Sequence, residues 1–364
     1  MASMDNLKPI VMTCGGTGGH IYPAIALAQT ITQASGQKIH FIGTSTREDA
    51  KIIPKYHYPF TAIMVSDKNK LALIPAIIKA FLLLIKLKPS CVISTGGFST
   101  IPASIAAIIK GIPLYLLEQN AIAGRTNLLF ARFATHIFTS FKDTRPLFPQ
   151  KKTTHVGNPI RTQFAKDKTG QFISSIKFEK PPLLIFGGSQ GARHINHVIS
   201  ANYAHLIDQD IPFIHIVGQT GYPQLVTQLI PSPYWEKESH LDMWISKTGQ
   251  QVILPYCEAM DMLYHISGIV IARSGATTTA ELAHFQKKAI LIPFPHAKDD
   301  HQTANAIAHS AEYPSQIITD TQLTWETIAQ AITALAKQQP PPQKANSPAE
   351  EICKIIRESN RKLN

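Results

Sequence analysis

Two glycine-rich turns, one near the start of each half of the chain, constrain the fold more than any other feature. The first follows the apolar run 10–13 and has the sequence GGTGGH over residues 15–20. The second follows the apolar run 183–186 and has the sequence GGSQGAR over residues 187–193. A short apolar run, a glycine cluster and a helix are typical of a parallel strand that leads into a helix whose N–H groups bind phosphate oxygens. The repetition predicts two Rossmann-like α/β domains with parallel sheets and a shared cleft.

Strand and helix patterns alternate after both turns, as expected for βαβ units. We place an N-terminal domain at residues 1–160 and a C-terminal domain at residues 161–340, with the crossing near the segment HVGNPIR. A proline-rich linker follows, and then a final amphipathic helix at residues 349–362. Further strands are predicted at 38–42, 91–94, 113–117, 213–217, 251–254, 269–272 and 289–292, and helices at 23–33, 75–86, 102–109 and 127–134.

Composition narrows the class of protein. With 364 residues, 44% of them hydrophobic, the chain is long enough for about two domains with large cores. Its four cysteines are far apart, which predicts reduced thiols and no zinc site, and the first residues show no secretory signal. The net charge of +11 favours an anionic partner. Nucleic acid is not expected, because the sequence lacks RNP-type, zinc-finger and arginine-rich motifs.

One lysine-flanked apolar segment, residues 68–88, has the sequence KNKLALIPAIIKAFLLLIKLK. It is too short and too interrupted to predict a membrane span. It could be a buried amphipathic helix. Alternatively, it could lie on a bilayer surface, with apolar side chains in the acyl boundary and lysines at anionic headgroups. The contacts in that case would be Leu73, Ile77, Phe81 and Leu84, with Lys79 and Lys86.

The glycine turns lack the features of two common nucleotide sites. GGTGGH lacks the last glycine of the dinucleotide fingerprint, and the second strand ends in Ile42-Gly43-Thr44-Ser45 without a carboxylate for ribose. No lysine and hydroxyl pair follows either turn, as a P-loop requires. Redox chemistry with a nicotinamide cofactor and ATP hydrolysis are therefore disfavoured.

Polar residues follow several predicted strands. The segment RSGATTTAE, residues 273–281, puts small and hydroxylated residues at a helix start, where free N–H groups favour a pyrophosphate. Glu281 could accept hydrogen bonds from a ribose diol, although the segment could equally be an ordinary capped helix. The start of DHQTANA, residues 300–306, is a ligand site or a solvated helix end. His20 is a candidate general base or an ordinary structural histidine, and Glu118, Gln119 and Asn120 form a further polar cluster.

Several segments, in this order, are similar to the MurG family of N-acetylglucosaminyltransferases, which form lipid II from lipid I in peptidoglycan synthesis. The matching segments are GGTGGH, EQNAIAGRTN (118–127), VGNPIR (156–161), GGSQGAR, RSGATTTAE and DHQTANA. The resemblance implies a GT-B fold with the acceptor on the N-terminal domain, UDP-N-acetylglucosamine mainly on the C-terminal domain, and the last helix packed on the first domain. It also implies a peripheral protein at the cytoplasmic face of the cell inner membrane, with a role in cell wall biogenesis, cell shape and division.

The same resemblance assigns site residues. His20 and Glu281 are the implied catalytic residues, and Asn127, Asn196 and Asn305 match acceptor-side or activity-linked positions. Phe98 stands where the family usually has tyrosine, and Ser267-Gly268 where it has Ala-Asp. The implied UDP-N-acetylglucosamine contacts are Thr17, Gly18, Gly19, Asn120, Arg161, Ser189, Tyr256, Ala276, Thr277, Thr278, Thr279, Ala280, Glu281 and Gln302.

The expected reaction is a direct displacement with inversion. The muramyl 4-hydroxyl of lipid I attacks the anomeric carbon and UDP leaves, with no cofactor and no metal, because helix N–H groups stabilise the departing pyrophosphate. The partners are then UDP-N-acetylglucosamine, lipid I and the anionic cytoplasmic leaflet. A related GT-B enzyme that acts on another lipid, such as diacylglycerol, remains an alternative. A nucleotide-sugar-binding protein without catalysis and a dehydrogenase are less favoured.

Overall fold

The computed structural model describes residues 7–65, 72–161, 167–188, 190–229, 232–340 and 347–363. It divides into two compact units, Met1–Thr162 with Ala345–Asn364, and Gln163–Lys344. Each unit contains a sheet with helices on both faces, so the predicted pair of Rossmann-like domains of the GT-B class is confirmed.

The first unit contains a parallel sheet in the order β3-β2-β1-β4-β5-β6-β7. Its strands are β1 (Ile10–Thr13), β2 (Ile39–Gly43), β3 (Phe60–Ala62), β4 (Cys91–Ser94), β5 (Leu114–Glu118), β6 (His136–Thr139) and β7 (Thr153–His155). Its helices before the linker are α1 (Gly18–Ser35), α2 (Asp49–Ile52), α3 (Leu73–Leu87), α4 (Ile101–Ile109) and α5 (Arg125–Phe130).

The second unit contains a sheet in the order β10-β11-β12-β9-β8-β13-β14-β15. Its strands are β8 (Leu183–Phe186), β9 (Phe213–Ile216), β10 (Trp235–Lys237), β11 (Trp244–Ser246), β12 (Gln251–Leu254), β13 (Ile269–Ala272), β14 (Lys288–Leu291) and β15 (Ser315–Ile317). Its helices are α6 (Lys168–Ser175), α7 (Arg193–Ser200), α8 (Tyr203–Asp208), α9 (Tyr222–Leu229), α10 (Met260–Ile266), α11 (Ala276–His284), α12 (His301–Ser310) and α13 (Trp325–Ala336).

The second sheet adds two short antiparallel strands at one edge of its parallel part, which the sequence did not predict. Strand β10 pairs with β11, and β11 with β12, in antiparallel register at one edge. Both added strands are three residues long, and the first of them is Trp-Glu-Lys. Such short, mixed segments lack the continuous apolar run on which the strand predictions rest.

The final helix, α14 (Pro348–Leu363), belongs to the first unit. Its apolar side chains, Ala349, Ile352, Cys353 and Ile356, are buried in the same cluster as α1 and the sheet. The hydroxyl of Tyr115 on β5 donates a hydrogen bond to Asn360 Oδ1 at 3.0 Å. Helices α3, α4 and α5 cover the opposite face of the sheet.

Two helix boundaries differ from the prediction because local signals were misleading. Helix α1 begins at Gly18, and Pro23 lies inside it, although proline is most common at the first turn and was predicted as the start. Helix α5 ends at Phe130 rather than at residue 134. The earlier start of α1 places His20 on the first turn of the helix.

Candidate functional site

The first glycine turn joins β1 to α1. Thr17 is the N-cap, with extended backbone and no side-chain cap bond, so the first N–H groups of the helix are not satisfied by the cap side chain. A Cβ on Gly15 would lie 2.7 Å from His20 Cδ2, and Gly97, at φ +90°, passes so close that its Cβ would lie 2.9 Å from Gly15 Cα. Only glycine fits both positions.

The imidazole of His20 is held through one nitrogen. Its Nδ1 lies 2.7 Å from the carbonyl oxygen of Thr95 and 3.0 Å from Gln119 Oε1. The amide nitrogen of Gln119 donates to the carbonyl oxygen of Leu117 at 3.1 Å, which turns Oε1 towards the imidazole. Both neighbours of Nδ1 are acceptors, so in the neutral imidazole Nδ1 has the proton and Nε2 has the lone pair. The geometry therefore suits a general base.

A buried carboxylate shapes the loop after β5. Glu118 Oε1 accepts from Asn120 N at 3.1 Å, and Oε2 accepts from Gly124 N and Asn127 Nδ2, both at 2.8 Å. Asn127 lies beneath Gly96, whose Cβ would be 3.0 Å from Asn127 Nδ2. In the first unit, Asn127 therefore supports two turns near His20, and Glu118 sets the position of Asn120.

Arg161 is positioned by two aromatic residues of the same unit. Its Nη1 donates to the hydroxyl of Tyr56 at 3.1 Å, and its guanidinium carbon lies 4.3 Å from the ring centre of Tyr22. Such a stacked guanidinium keeps its charge and a fixed plane, which suits an anionic ligand.

The second glycine turn joins β8 to α7. Gly191 has φ +82° and packs against the turn that follows β9. A Cβ at this position would overlap the carbonyl oxygen of Val217. Gly191 N donates to Gly188 O at 3.0 Å. Ser189, a predicted donor contact, lies outside the described residues.

Asn196 holds Val217, the residue against which Gly191 packs. Its Nδ2 donates to Val217 O at 2.8 Å, and its Oδ1 accepts from His215 Nε2 at 3.2 Å. His215 Nδ1 accepts from the hydroxyl of Tyr203 at 2.6 Å. Burial lowers the pKa of His215 to about 3, so the imidazole is neutral. It donates one hydrogen bond and accepts another. Sequence reasoning missed Tyr203 and His215, although a histidine inside an apolar strand was a visible signal.

Two polar segments of the second unit meet at the start of α11. Ser274 Oγ donates to Gln302 O at 2.8 Å, and Asn305 Nδ2 donates to Ser274 O at 3.2 Å. Gln302 Oε1 accepts from Phe294 N at 3.0 Å. The structure thus brings together RSGATTTAE and DHQTANA, which the sequence placed on separate helices.

The hydroxyls and the carboxylate of α11 have different surroundings. Thr277 Oγ1 is buried and has no hydrogen-bond partner among the described residues. Thr279 is buried, and its hydroxyl bonds to Gly275 O and Ala276 O. Glu281 is 6% exposed, and its Oε2 accepts from the hydroxyl of Tyr264 at 3.0 Å. Of the other predicted contacts, Ala276 is buried, and Thr278, Ala280 and Tyr256 are half-buried.

The predicted membrane face of α3 is wrong at Leu84. This side chain is fully buried, as are Ala76 and Ala80, which together form the ridge that packs into the core. Leu73, Ile77 and Phe81 are half-buried. The exposed apolar stripe consists instead of Ile74, Ile78, Leu82 and Ile85. Small alanines let a helix approach its neighbours closely, so the larger side chains on this helix are left outside.

Lys79 and Lys86 are exposed on the same helix, and Lys79 Nζ donates to Ala62 O at 3.0 Å. Among the described residues, no helix is long and apolar enough to cross a bilayer. Nor does the described part of the chain contain a group of three or more His, Cys, Asp or Glu side chains able to hold a metal ion.

Known proteins resemble this chain along most of its length. Residues 10–139 match the glycosyltransferase family 28 N-terminal domain, and residues 182–358 match the C-terminal domain of the same family. The UDP-N-acetylglucosamine–N-acetylmuramyl-(pentapeptide) pyrophosphoryl-undecaprenol N-acetylglucosamine transferase of Myxococcus xanthus is 34% identical, over 90% of this chain and 85% of that protein. The chain belongs to the MurG family.

Other MurG-family proteins agree with this assignment. The transferase of the same name from Haemophilus influenzae is 35% identical, over 92% of each chain. The crystal structure of Acinetobacter baumannii MurG superposes with a TM-score of 0.70 at 26% identity and covers 96% of this chain and 99% of that one. A UDP-GlcNAc 2-epimerase from Neisseria meningitidis, at 14% identity and a TM-score of 0.65 over 97% of this chain and 100% of that chain, shares the fold alone. The family predicted from the sequence is confirmed.

Proposed function

We propose that the chain transfers N-acetylglucosamine from UDP-N-acetylglucosamine to the muramyl 4-hydroxyl of lipid I, which gives lipid II and UDP in peptidoglycan synthesis. The observation that supports this most strongly is the pair of hydrogen bonds through Ser274, which hold the start of α11 beside the start of α12 in the second unit. MurG-family relatives that cover about 90% of the chain are named for this transfer.

The donor has a partner for each of its chemical parts. The N-terminus of α11 supplies N–H groups and the Thr277 hydroxyl to the pyrophosphate, whose charge the helix dipole favours. Glu281 accepts from the ribose hydroxyls with a carboxylate that Tyr264 holds in place. Gln302 orients the sugar, the backbone of Tyr256 contacts uracil, and the turn that contains Ser189 contributes to the pyrophosphate. Thr17, Gly18, Gly19, Asn120 and Arg161 of the first unit complete the set that the family resemblance assigns to the donor.

His20 is the base in this mechanism. Its Nε2 accepts the proton of the muramyl 4-hydroxyl while that oxygen forms the bond to the anomeric carbon. The bond from that carbon to the β-phosphate oxygen breaks with its electron pair, and UDP leaves. The sugar inverts and develops oxocarbenium character, and the developing negative charge falls on the pyrophosphate at the start of α11.

The acceptor has a lipid tail, so the first unit docks on an anionic membrane surface at the cytoplasmic face, as a peripheral protein. Four large apolar side chains of α3 are exposed in one stripe, and Ile78 and Leu82 are 54% and 59% accessible. The exposed Lys79 and Lys86 lie on the same helix, and cations near an apolar stripe are attracted to anionic headgroups.

The choice of acceptor is the direct test. Purified protein is mixed with UDP-N-acetylglucosamine and either lipid I or diacylglycerol in matched anionic vesicles, and UDP and glycolipid are measured. We expect product with lipid I alone. Product with diacylglycerol alone supports the related lipid glycosyltransferase, and UDP binding without turnover on either lipid supports a binding protein.

A further inference from the structure

Both carboxylate oxygens of Asp320 are engaged by side chains from distant parts of the second unit. Asp320 Oδ1 lies 2.6 Å from Arg273 Nη1, and Oδ2 lies 2.9 Å from His194 Nδ1. Burial alone would raise the pKa of Asp320, but the hydrogen bond from His194 and the charge of Arg273 hold it below its usual range. Asp320 is therefore ionised, and Arg273 is its ion-pair partner.

The two partners of Asp320 belong to different predicted donor segments. His194 is the second residue of α7, which begins directly after the second glycine turn. Arg273 directly follows β13 and precedes Ser274 and the start of α11. His194 and Asp320 are 126 residues apart in the chain. The carboxylate thus joins the start of α7 to the start of α11.

Arg273 extends this connection to a third segment. Its Nη1 donates to Ile292 O at 3.2 Å and to Pro293 O at 2.9 Å, and its guanidinium carbon lies 5.5 Å from the ring centre of Phe294. The backbone N–H of Phe294 in turn donates to Gln302. The Arg273 side chain is only 11% exposed, so the carboxylate both neutralises the guanidinium and fixes its plane.

We propose that His194 and Asp320 are positioning residues for the nucleotide-sugar donor. Asp320 fixes Arg273, Arg273 holds the loop that positions Gln302, and His194 ties this assembly to the helix after the second glycine turn. The segments assigned to the pyrophosphate and to the sugar then keep one geometry when the donor binds. This inference rests on the proposed donor site but not on the identity of the acceptor.

The test compares donor and acceptor parameters in three variants of the full chain. Asp320→Asn and His194→Ala are expected to raise the KM for UDP-N-acetylglucosamine about threefold to tenfold, as loss of a charge-assisted hydrogen bond does. The KM for lipid I should stay unchanged. His194→Asn should restore most of the donor affinity, because its Nδ2 can occupy the place of His194 Nδ1. Asp208→Asn, at an exposed position on α8, is the matched control.

Calorimetric titration with UDP-N-acetylglucosamine, in the absence of acceptor, separates this inference from the proposed function. Weaker binding in Asp320→Asn and His194→Ala, with rescue in His194→Asn, supports the positioning role even if the wild-type protein does not use lipid I. Unchanged donor affinity in both variants overturns it, even if the wild-type protein makes lipid II. Equal losses for donor and acceptor, or a loss in His194→Asn as large as in His194→Ala, also overturn it.

Discussion

The Nδ1 atom of His20 lies 2.7 Å from the carbonyl oxygen of Thr95, 75 residues away in the chain. This bond fixes the tautomer, because a carbonyl oxygen can only accept. It leaves Nε2 as the nitrogen that takes a proton, and it fixes the ring plane. The role that we propose for His20 as a base thus depends on the turn after β4 as much as on its own glycine turn.

Replacement of His20 tests this role. His20→Ala should lower kcat by about 10²-fold to 10⁴-fold, the usual contribution of a positioned base, with little change in donor affinity. His240→Ala, at an exposed position in the second unit, is the matched control. The rate of UDP release with saturating substrates is the measurement. Near-normal turnover of His20→Ala at neutral pH would show that another group takes the proton.

Gln119 should act through His20. Gln119→Leu removes the acceptor 3.0 Å from Nδ1 and leaves the Thr95 carbonyl as its only described acceptor. We expect kcat to fall about tenfold, as loss of a hydrogen bond that orients a catalytic group does, while the KM for UDP-N-acetylglucosamine stays the same. In the His20→Ala background, the same substitution should have no further effect. Equal effects in both backgrounds would contradict the coupling.

Tyr264 and Glu281 should affect donor binding together. Glu281→Gln should weaken UDP binding about tenfold or more, and Tyr264→Phe by less, because the phenylalanine leaves the carboxylate in place without one of its donors. Calorimetric titration with UDP measures both, and the double variant shows whether the losses are coupled. Additive losses would mean that the bond between Tyr264 and Glu281 has no part in binding the nucleotide.

The buried His215 should make stability depend on pH. Its pKa is lowered to about 3 in the folded protein, so the unfolded chain binds more protons between about pH 6.5 and pH 3, and acid favours unfolding. Between pH 6.5 and about pH 3, this group lowers the free energy of unfolding by up to about 1.4 kcal/mol for each pH unit. Denaturant unfolding at pH 6.5 and pH 5 should show a smaller fall in the free energy of unfolding in His215→Gln, because glutamine cannot titrate. Identical losses would contradict this account.

The exposed stripe of α3 should determine membrane affinity. Ile78→Glu and Leu82→Glu should each reduce co-sedimentation with anionic vesicles severalfold, because a carboxylate opposes both apolar burial and the attraction to headgroups. Ile307→Glu, which is 58% exposed on the second unit, is the matched control. Leu84→Glu should unfold the domain instead, since this side chain has no exposure. Undiminished binding of Ile78→Glu and Leu82→Glu would place the membrane contact elsewhere.

Much of the fold could be predicted because the glycine turns and continuous apolar strands are local signals. The outward face of α3 could not. In a helix with so many apolar residues, no polar stripe marks the side that faces water, and only the packing of Ala76, Ala80 and Leu84 decides it. Strands β3, β6, β7, β10, β11 and β15 were missed, and all but β6 have three residues, which give too few positions for a period.

His20, Gln302 and Glu281 could be named as candidate site residues because each lies in a recognisable motif. The partners that orient these side chains could not, because they come from elsewhere in the chain. Gln119 is 99 residues from His20, and Tyr264 is 17 residues from Glu281 on a different helix. Neither pairing leaves a pattern in one sequence, since each depends on strand order in the sheet.

The most direct test of the central claim is the ratio of UDP released to disaccharide lipid formed, with purified protein, UDP-N-acetylglucosamine and lipid I. We expect one UDP for each disaccharide lipid, and no release when lipid I is left out. UDP release that does not depend on lipid I, or a glycolipid product formed only from another lipid, would contradict the account.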